Sequence, residues 1–122
     1  MKRLHSHRIG IDQGSAIIFS DFEEDGPMWR GQGDREVRRS IRFEEAFASP
    51  PAVQAVLEMW DFAEGTNLRA HIRVDSITRE GFQLVFRTWG DTRVARARAS
   101  WLAIGELTDP DDWTVDGGET GD

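Results

Sequence analysis

Residues 94–103 read Val94-Ala95-Arg96-Ala97-Arg98-Ala99-Ser100-Trp101-Leu102-Ala103. Alanine and arginine both favour helices, yet the order alternates strictly. Ala95, Ala97, Ala99, Trp101 and Ala103 share one phase, and Arg96, Arg98 and Ser100 the other. A helix would scatter the arginines around its circumference, whereas a strand sends them all to one side. The stretch is read as a strand with Trp101 in the core.

The same period of two recurs outward from it. Phe82, Leu84, Phe86 and Thr88 repeat it. So do Leu68, Ala70, Ile72 and Val74 against Arg69, His71, Arg73 and Asp75, and Val37, Arg39, Ile41 and Phe43 against Glu36, Arg38 and Arg42. Residues 53–62 are mostly apolar, the pattern of a strand buried on both faces, which would put Trp60 in the core. Turn signals separate these runs at Asp25-Gly26-Pro27, Gly31-Gln32-Gly33-Asp34, Ser49-Pro50-Pro51, Glu64-Gly65-Thr66-Asn67, Glu80-Gly81 and Gly90-Asp91. Short strands at this spacing, with no long helical stretch between them, predict an all-β antiparallel sandwich.

The chain has 122 residues, the size of one domain that can bury a core without staples. It has no cysteine, so neither a disulfide framework nor a thiolate site is available. The formal net charge is −7, but the excess is local. Seven acidic and no basic residues lie in 106–122, leaving 15 acidic against 15 basic before that. The reading is therefore a sandwich over 1–105 and an acidic tail over 106–122. A neutral body without a basic stripe argues against nucleic acid as a partner. The longest apolar runs, Ala16-Ile17-Ile18-Phe19 and Trp101-Leu102-Ala103-Ile104, are too short to insert into a membrane. The start, Met1-Lys2-Arg3-Leu4, carries charges but no apolar run behind them, so the expectation is synthesis in the cytoplasm, with any extracellular role reached by another route.

Residues 35–104 resemble the H-type lectins. The matching pieces are Ile41-Arg42-Phe43, Pro50-Pro51-x-Val53, Asp61, Asn67-Leu68-Arg69, Gly81-Phe82, Thr88-Trp89-x-x-Thr92 and Ser100-Trp101, in order and without gaps. The resemblance implies a six-stranded antiparallel β-sandwich that forms a trimer, in some members paired into a hexamer, with sugar sites between neighbouring protomers. It carries the sugar-contacting arginine onto Arg69, the stacking tryptophan onto Trp89 and a further contact onto Gly90. The family's acceptor aspartate, in a Gly-x-Asp turn, falls on Gln32 in gapless register; a small shift uses Asp34 of Gly33-Asp34. That departure bears on galactose-type specificity. Residues 1–34 match poorly, apart from the start at Ile11-Asp12-Gln13-Gly14.

A neutral sugar offers hydroxyls and apolar C–H faces, so a binder needs fixed donors and acceptors beside an aromatic plate. Each candidate also has a plain reading. Trp89, in a predicted hairpin turn, would cap the core or pack at an interface. Arg69 would pair with a carboxylate such as Asp91 or Glu64. Asp34 would only form its turn. Trp29 is expected to bury itself under its Gly-rich loop. His5-x-His7 reads as incidental rather than as a metal site, and His71 as an ordinary surface residue. No Gly-x-Ser-x-Gly, P-loop or His-Glu-x-x-His is present, and nothing singles out a carboxylate pair for glycoside hydrolysis. The reading is a non-enzymatic lectin without cofactor or metal. Its partner is a glycan or polysaccharide carrying terminal galactose- or N-acetylgalactosamine-like sugars. The alternative is a structural or attachment module of a larger, phage-like assembly, with or without sugar binding.

Overall fold

The computed structural model describes residues 1–108. They form β1 (Ile9–Phe19), two single-turn helices α1 (Asp21–Glu24) and α2 (Pro27–Arg30), then β2 (Arg35–Arg42), β3 (Ala52–Phe62), β4 (His71–Asp75), β5 (Gly81–Thr88) and β6 (Val94–Glu106). The strands lie in two antiparallel sheets, ordered β1-β6-β3 and β2-β5-β4. The opening stretch, β6, is the central strand of the first sheet. Ala95, Ala97, Ala99, Trp101 and Ala103 face inward and are buried, as the alternation requires. Most of the acidic segment, 109–122, lies outside the described residues. Its first member, Glu106, ends β6 and accepts from the backbone N–H of His5 and Ser6.

The core fills the space between the sheets. Phe82, Leu84 and Phe86 of β5 meet Ala97, Ala99 and Trp101 of β6, with Phe19, Phe43 and Phe47 closing the ends. Edge-on ring contacts join Phe82 to Trp101 at 5.4 Å and Phe19 to Phe86 at 5.1 Å, the geometry that ring quadrupoles favour. Phe47 is fastened by its backbone N–H bond to the Arg79 carbonyl and by the Arg79 Nε–H bond to its own carbonyl.

Three expectations are corrected, and one strand is added that the sequence reading did not name. First, β3 is an edge strand of a sheet with one open side. Its 53, 55 and 57 positions pack inward, while Val56 and Trp60 point out, so Trp60 is 55% exposed and not core. Second, the strand expected from Leu68 begins at His71. Leu68 is 67% exposed, because the segment ahead of His71 turns out to meet the loop after β5. Third, residues 9–19, which carried no inward apolar alternation, form a long strand. The bulk there is inverted: Ile9, Ile11 and Ile17 face out, and Gly10, Gly14 and Ala16 face in. At Gly14 the reason is Trp101, whose ring would lie 2.9 Å from a Cβ there, and at Gly10 it is Leu107, whose side chain would lie 2.8 Å away. A bulky ring on the central strand demands a bare backbone opposite it. Fourth, the stretch around Trp29 is helical for one turn on each side of Gly26. The Asp21 carboxylate accepts the Met28 N–H at 2.8 Å, and Met28 is fully buried as the anchor. Trp29 itself is half-buried.

Candidate functional site

Three segments meet at one end of the second sheet, where Arg35 pairs with Thr88 and His71 with Arg87. They are the turn 31–34 ahead of β2, the segment 67–70 ahead of β4, and the loop 89–93 after β5. Each is tied to the next through backbone groups that would otherwise need water.

Two fully buried threonines join the second segment to the third. Thr92 Oγ1 donates to the Asn67 carbonyl at 2.6 Å and accepts the Arg69 N–H at 3.2 Å. Thr88 Oγ1 donates to the Arg69 carbonyl. Their hydroxyls thus fix the backbone on both sides of the Arg69 side chain. A third contact, from the Gly33 N–H to the Gly90 carbonyl at 2.9 Å, brings the first turn against the loop. Gly33 and Gly90 both have left-handed φ, +77° and +69°, where a side chain would be strained. At Gly90 a Cβ would also stand 3.1 Å from Arg69 Nη1.

Arg35 fastens the 31–34 turn and the 89–93 loop to α2. Its guanidinium donates to five backbone carbonyls: Gly33 through Nε, Pro27 and Met28 through Nη1, Gly90 and Thr92 through Nη2. No other side chain could serve five acceptors from one planar fork. Partial burial strips some hydration from this cation and lowers its pKa.

The Arg69 guanidinium is aimed by Asp91, with Nη1 to Oδ1 at 2.8 Å. Asp91 is itself held by Asn67, whose Nδ2–H donates to Oδ1 at 3.1 Å and whose N–H donates to Oδ2 at 3.4 Å. These Asn67 bonds, then the Arg69 bond, keep the Asp91 carboxyl below the usual carboxylate pKa. Arg69 Nε and Nη2 make no hydrogen bond among the described residues, and the side chain is 36% exposed. Two donor groups of a fixed, partly exposed guanidinium therefore remain without a protein acceptor among the described residues. On the other flank Arg87 lies over the Trp89 ring at 4.8 Å and approaches Asp34 Oδ1 at 3.5 Å.

The structure thus brings Arg69, Gly90 and the 31–34 turn together. Trp89 and Asp34 are linked through Arg87, and Gln32 stands exposed in the turn. The carboxylate on Arg69 is Asp91, one of the two that the plain reading of an exposed arginine named, and not Glu64. Asn67, Thr88, Thr92, Arg35 and Arg87 were not picked out as site residues from the sequence. Thr88 left a signal, a hydroxyl in the buried phase of β5. Arg35 left none, because its partners lie up to 57 residues away. Arg69 is matched by Asp91 and Arg87 by Asp34, so each of these two partly exposed guanidiniums already faces a carboxylate, an arrangement that suits an uncharged polar ligand. Among the described residues no cluster of His, Cys, Asp and Glu is placed to hold a metal ion.

A family model described as the H-type lectin domain matches residues 38–104, more than half of the chain. The chain belongs to the H-type lectin family. That membership supports carbohydrate binding as the general function of this H-type lectin domain. A protein of Fuscovulum blasticum, named for open reading frame 7 of its ATP synthase subunits region, is 52% identical over 88% of this chain and 94% of its own length; the name states no activity. A discoidin-1 polypeptide of Dictyostelium discoideum is 35% identical over 60% of this chain. The chain spans only 29% of that protein. The solved structure of discoidin II from the same organism superposes with a TM-score of 0.72 over 89% of this chain and 41% of that one, at 24% identity, a likeness of fold. The Thr88-Trp89-x-x-Thr92 and Asn67-Leu68-Arg69 pieces of the H-type lectin pattern acquire a physical meaning here: the two threonine hydroxyls hold the asparagine–arginine segment in place.

Proposed function

We propose that the domain is a lectin for terminal galactose- or N-acetylgalactosamine-like sugars, with no turnover of the glycan. The observation that carries this is the partly exposed Arg69 guanidinium beside Gly90, held at Nη1 by Asp91, which Asn67 holds in turn, with Nε and Nη2 unbonded among the described residues. Arg69 donates to two sugar hydroxyls, and the Trp89 ring stacks on the C–H face through the side that Arg87 leaves open. Asp34, or Gln32 in the same turn, accepts from a hydroxyl. Gly90 lets the ring approach the backbone.

The sites lie between protomers of a trimer, with pairing into a hexamer as the larger form. Support comes from the outward face of the first sheet, where Ile11, Ile17, Val56, Trp60 and Leu102 are exposed together on three adjacent strands. Exposed apolar side chains interspersed with Gln13, Gln54 and Ser100 make a mixed surface of the kind that interfaces between protomers use. One small polar ligand buries little area and binds weakly, so presentation on a trimer raises avidity by ~10²–10⁴.

The test is a broad glycan array, bacterial polysaccharides included, probed with the purified oligomer and its Trp89→Ala variant. Galactose-type signal that vanishes in a folded variant supports the reading and its site. Full binding by Trp89→Ala refutes the site. A silent array from a folded oligomer favours an assembly or attachment role, which the prior engagement of Asp34 by Arg87 also favours.

A further inference from the structure

The insertion between β1 and β2 builds a second cleft that shares no lining residue with the Arg69 site. Four-residue helices have no stability of their own, yet this segment is held at every turn. The Gly26 N–H donates to the Asp21 carbonyl, and the Asp21 carboxylate leaves no room for a Cβ on Gly26. Met28 is buried beneath it. Arg93 Nε–H donates to the Trp29 carbonyl at 2.8 Å, and its guanidinium lies 4.5 Å from the Trp29 ring centre. The result of this fastening is an ordered aromatic pair at the surface. Phe22 meets Trp29 edge-on at 5.1 Å and 83° while remaining 58% exposed.

Facing the pair are Phe62 and the ion pair of Arg96 Nε with Asp61 Oδ2, at 3.4 Å, both partners about half exposed. Together they enclose about 360 Å³, in the lower part of the ~300–1,000 Å³ range of small-molecule sites. The cleft repeats the ingredients of the Arg69 site: a guanidinium oriented by a carboxylate beside an accessible aromatic ring. Arg96 and Asp61 cancel in charge, and Glu23 on the rim adds a negative one, which disfavours an anionic ligand. The ring faces favour C–H contact, and the ion pair supplies both donors and acceptors.

We propose that this cleft is a second binding site for a neutral pyranose, independent of Arg69, with Phe22 as the stacking ring and Arg96 and Asp61 as the hydrogen-bonding pair. Such a site gives each domain two points of attachment to a repeating polysaccharide.

Saturation-transfer NMR on the full chain tests this with the methyl glycosides of galactose, glucose and mannose and with N-acetylglucosamine as probes. Arg69→Ala should keep transfer to at least one of them. Adding Phe22→Ala should cut that transfer about three- to tenfold, the worth of one aromatic contact. The melting transition and the solution mass should stay unchanged, because Phe22 is mostly outside the core. Loss of all transfer in Arg69→Ala alone overturns the proposal and leaves the Arg69 site standing. Equal transfer in the single and double variants overturns it as well. A fall in mass on Phe22→Ala overturns it in favour of a contact between copies. No transfer from the unaltered protein to any probe overturns both sites.

Discussion

Replacing Thr92 by valine keeps the shape of a fully buried side chain and removes only its hydroxyl. Two hydrogen bonds go with it, to the Asn67 carbonyl at 2.6 Å and from the Arg69 N–H at 3.2 Å. A buried group left without a partner costs about 1–3 kcal/mol, and an ordinary intramolecular bond contributes about 0.5–1.5 kcal/mol. Asn67 is exposed, so water reaches its carbonyl; Arg69 is half-buried, so its N–H is served less well. The expected loss is about 2 kcal/mol, or about 6–10 °C in Tm for a domain of this size. Urea unfolding followed by tryptophan fluorescence measures it, at one fixed protein concentration because assembly adds to apparent stability. The variant should also bind galactose-type glycans more weakly, since the backbone that carries Arg69 is released. Thr92→Ser, which loses a methyl and keeps the hydroxyl, should retain binding. A valine variant within about 0.5 kcal/mol of the parent, with undiminished binding, would refute the clamp.

Three further outcomes follow from the same geometry. Gly81→Ala should be strongly destabilising, by about 3 kcal/mol or more, because its Cβ would fall 2.1 Å from the Ile41 carbonyl oxygen across the β2–β5 ladder; a melting curve like the parent's would contradict this. Arg35→Lys exchanges a five-donor fork for three donors on a flexible stem, so amide exchange at Gly33 should accelerate as the 31–34 turn loosens from Gly90, and unchanged protection would remove Arg35 from its organising role. Asp91 titrates below its ordinary 3.8; a depressed carboxylate contributes stability that is complete above 3.8 and lost as pH falls through the lowered folded value. Carboxyl NMR should therefore place the Asp91 midpoint below 3.8, and a midpoint at 3.8 or above in the parent would refute the Asn67 and Arg69 bonds.

Legibility in the sequence followed how local each cause was. The alternation in 94–103 named the central strand and the inward face of Trp101, because cross-strand neighbours impose a period of two that only burial can satisfy. The inward phase of β5, with Phe82, Leu84 and Phe86, was read for the same reason. β1 stayed hidden because Trp101 and Leu107 claim the space beside Gly14 and Gly10, leaving glycines inside and isoleucines outside. Trp60 was misplaced because an apolar run does not say whether its strand is central or at an edge.

Arg69, Trp89 and Gly90 were reached through a family pattern, and that pattern reported which residues recur without reporting what they touch. Residue order alone determined an all-β domain, a neutral body with its acidity at one end, and the positions where a sugar contact was to be sought. Tertiary structure alone decided that Asp91 and not Glu64 orients Arg69, that Arg35 joins the 31–34 turn, α2 and the 89–93 loop, and that Phe22 and Trp29 stand over Asp61 and Arg96. Those pairings reach as far as 57 residues along the chain. Such pairs carry no periodicity, because they are selected by where a packed sandwich happens to bring loop ends together and not by any repeat along the chain.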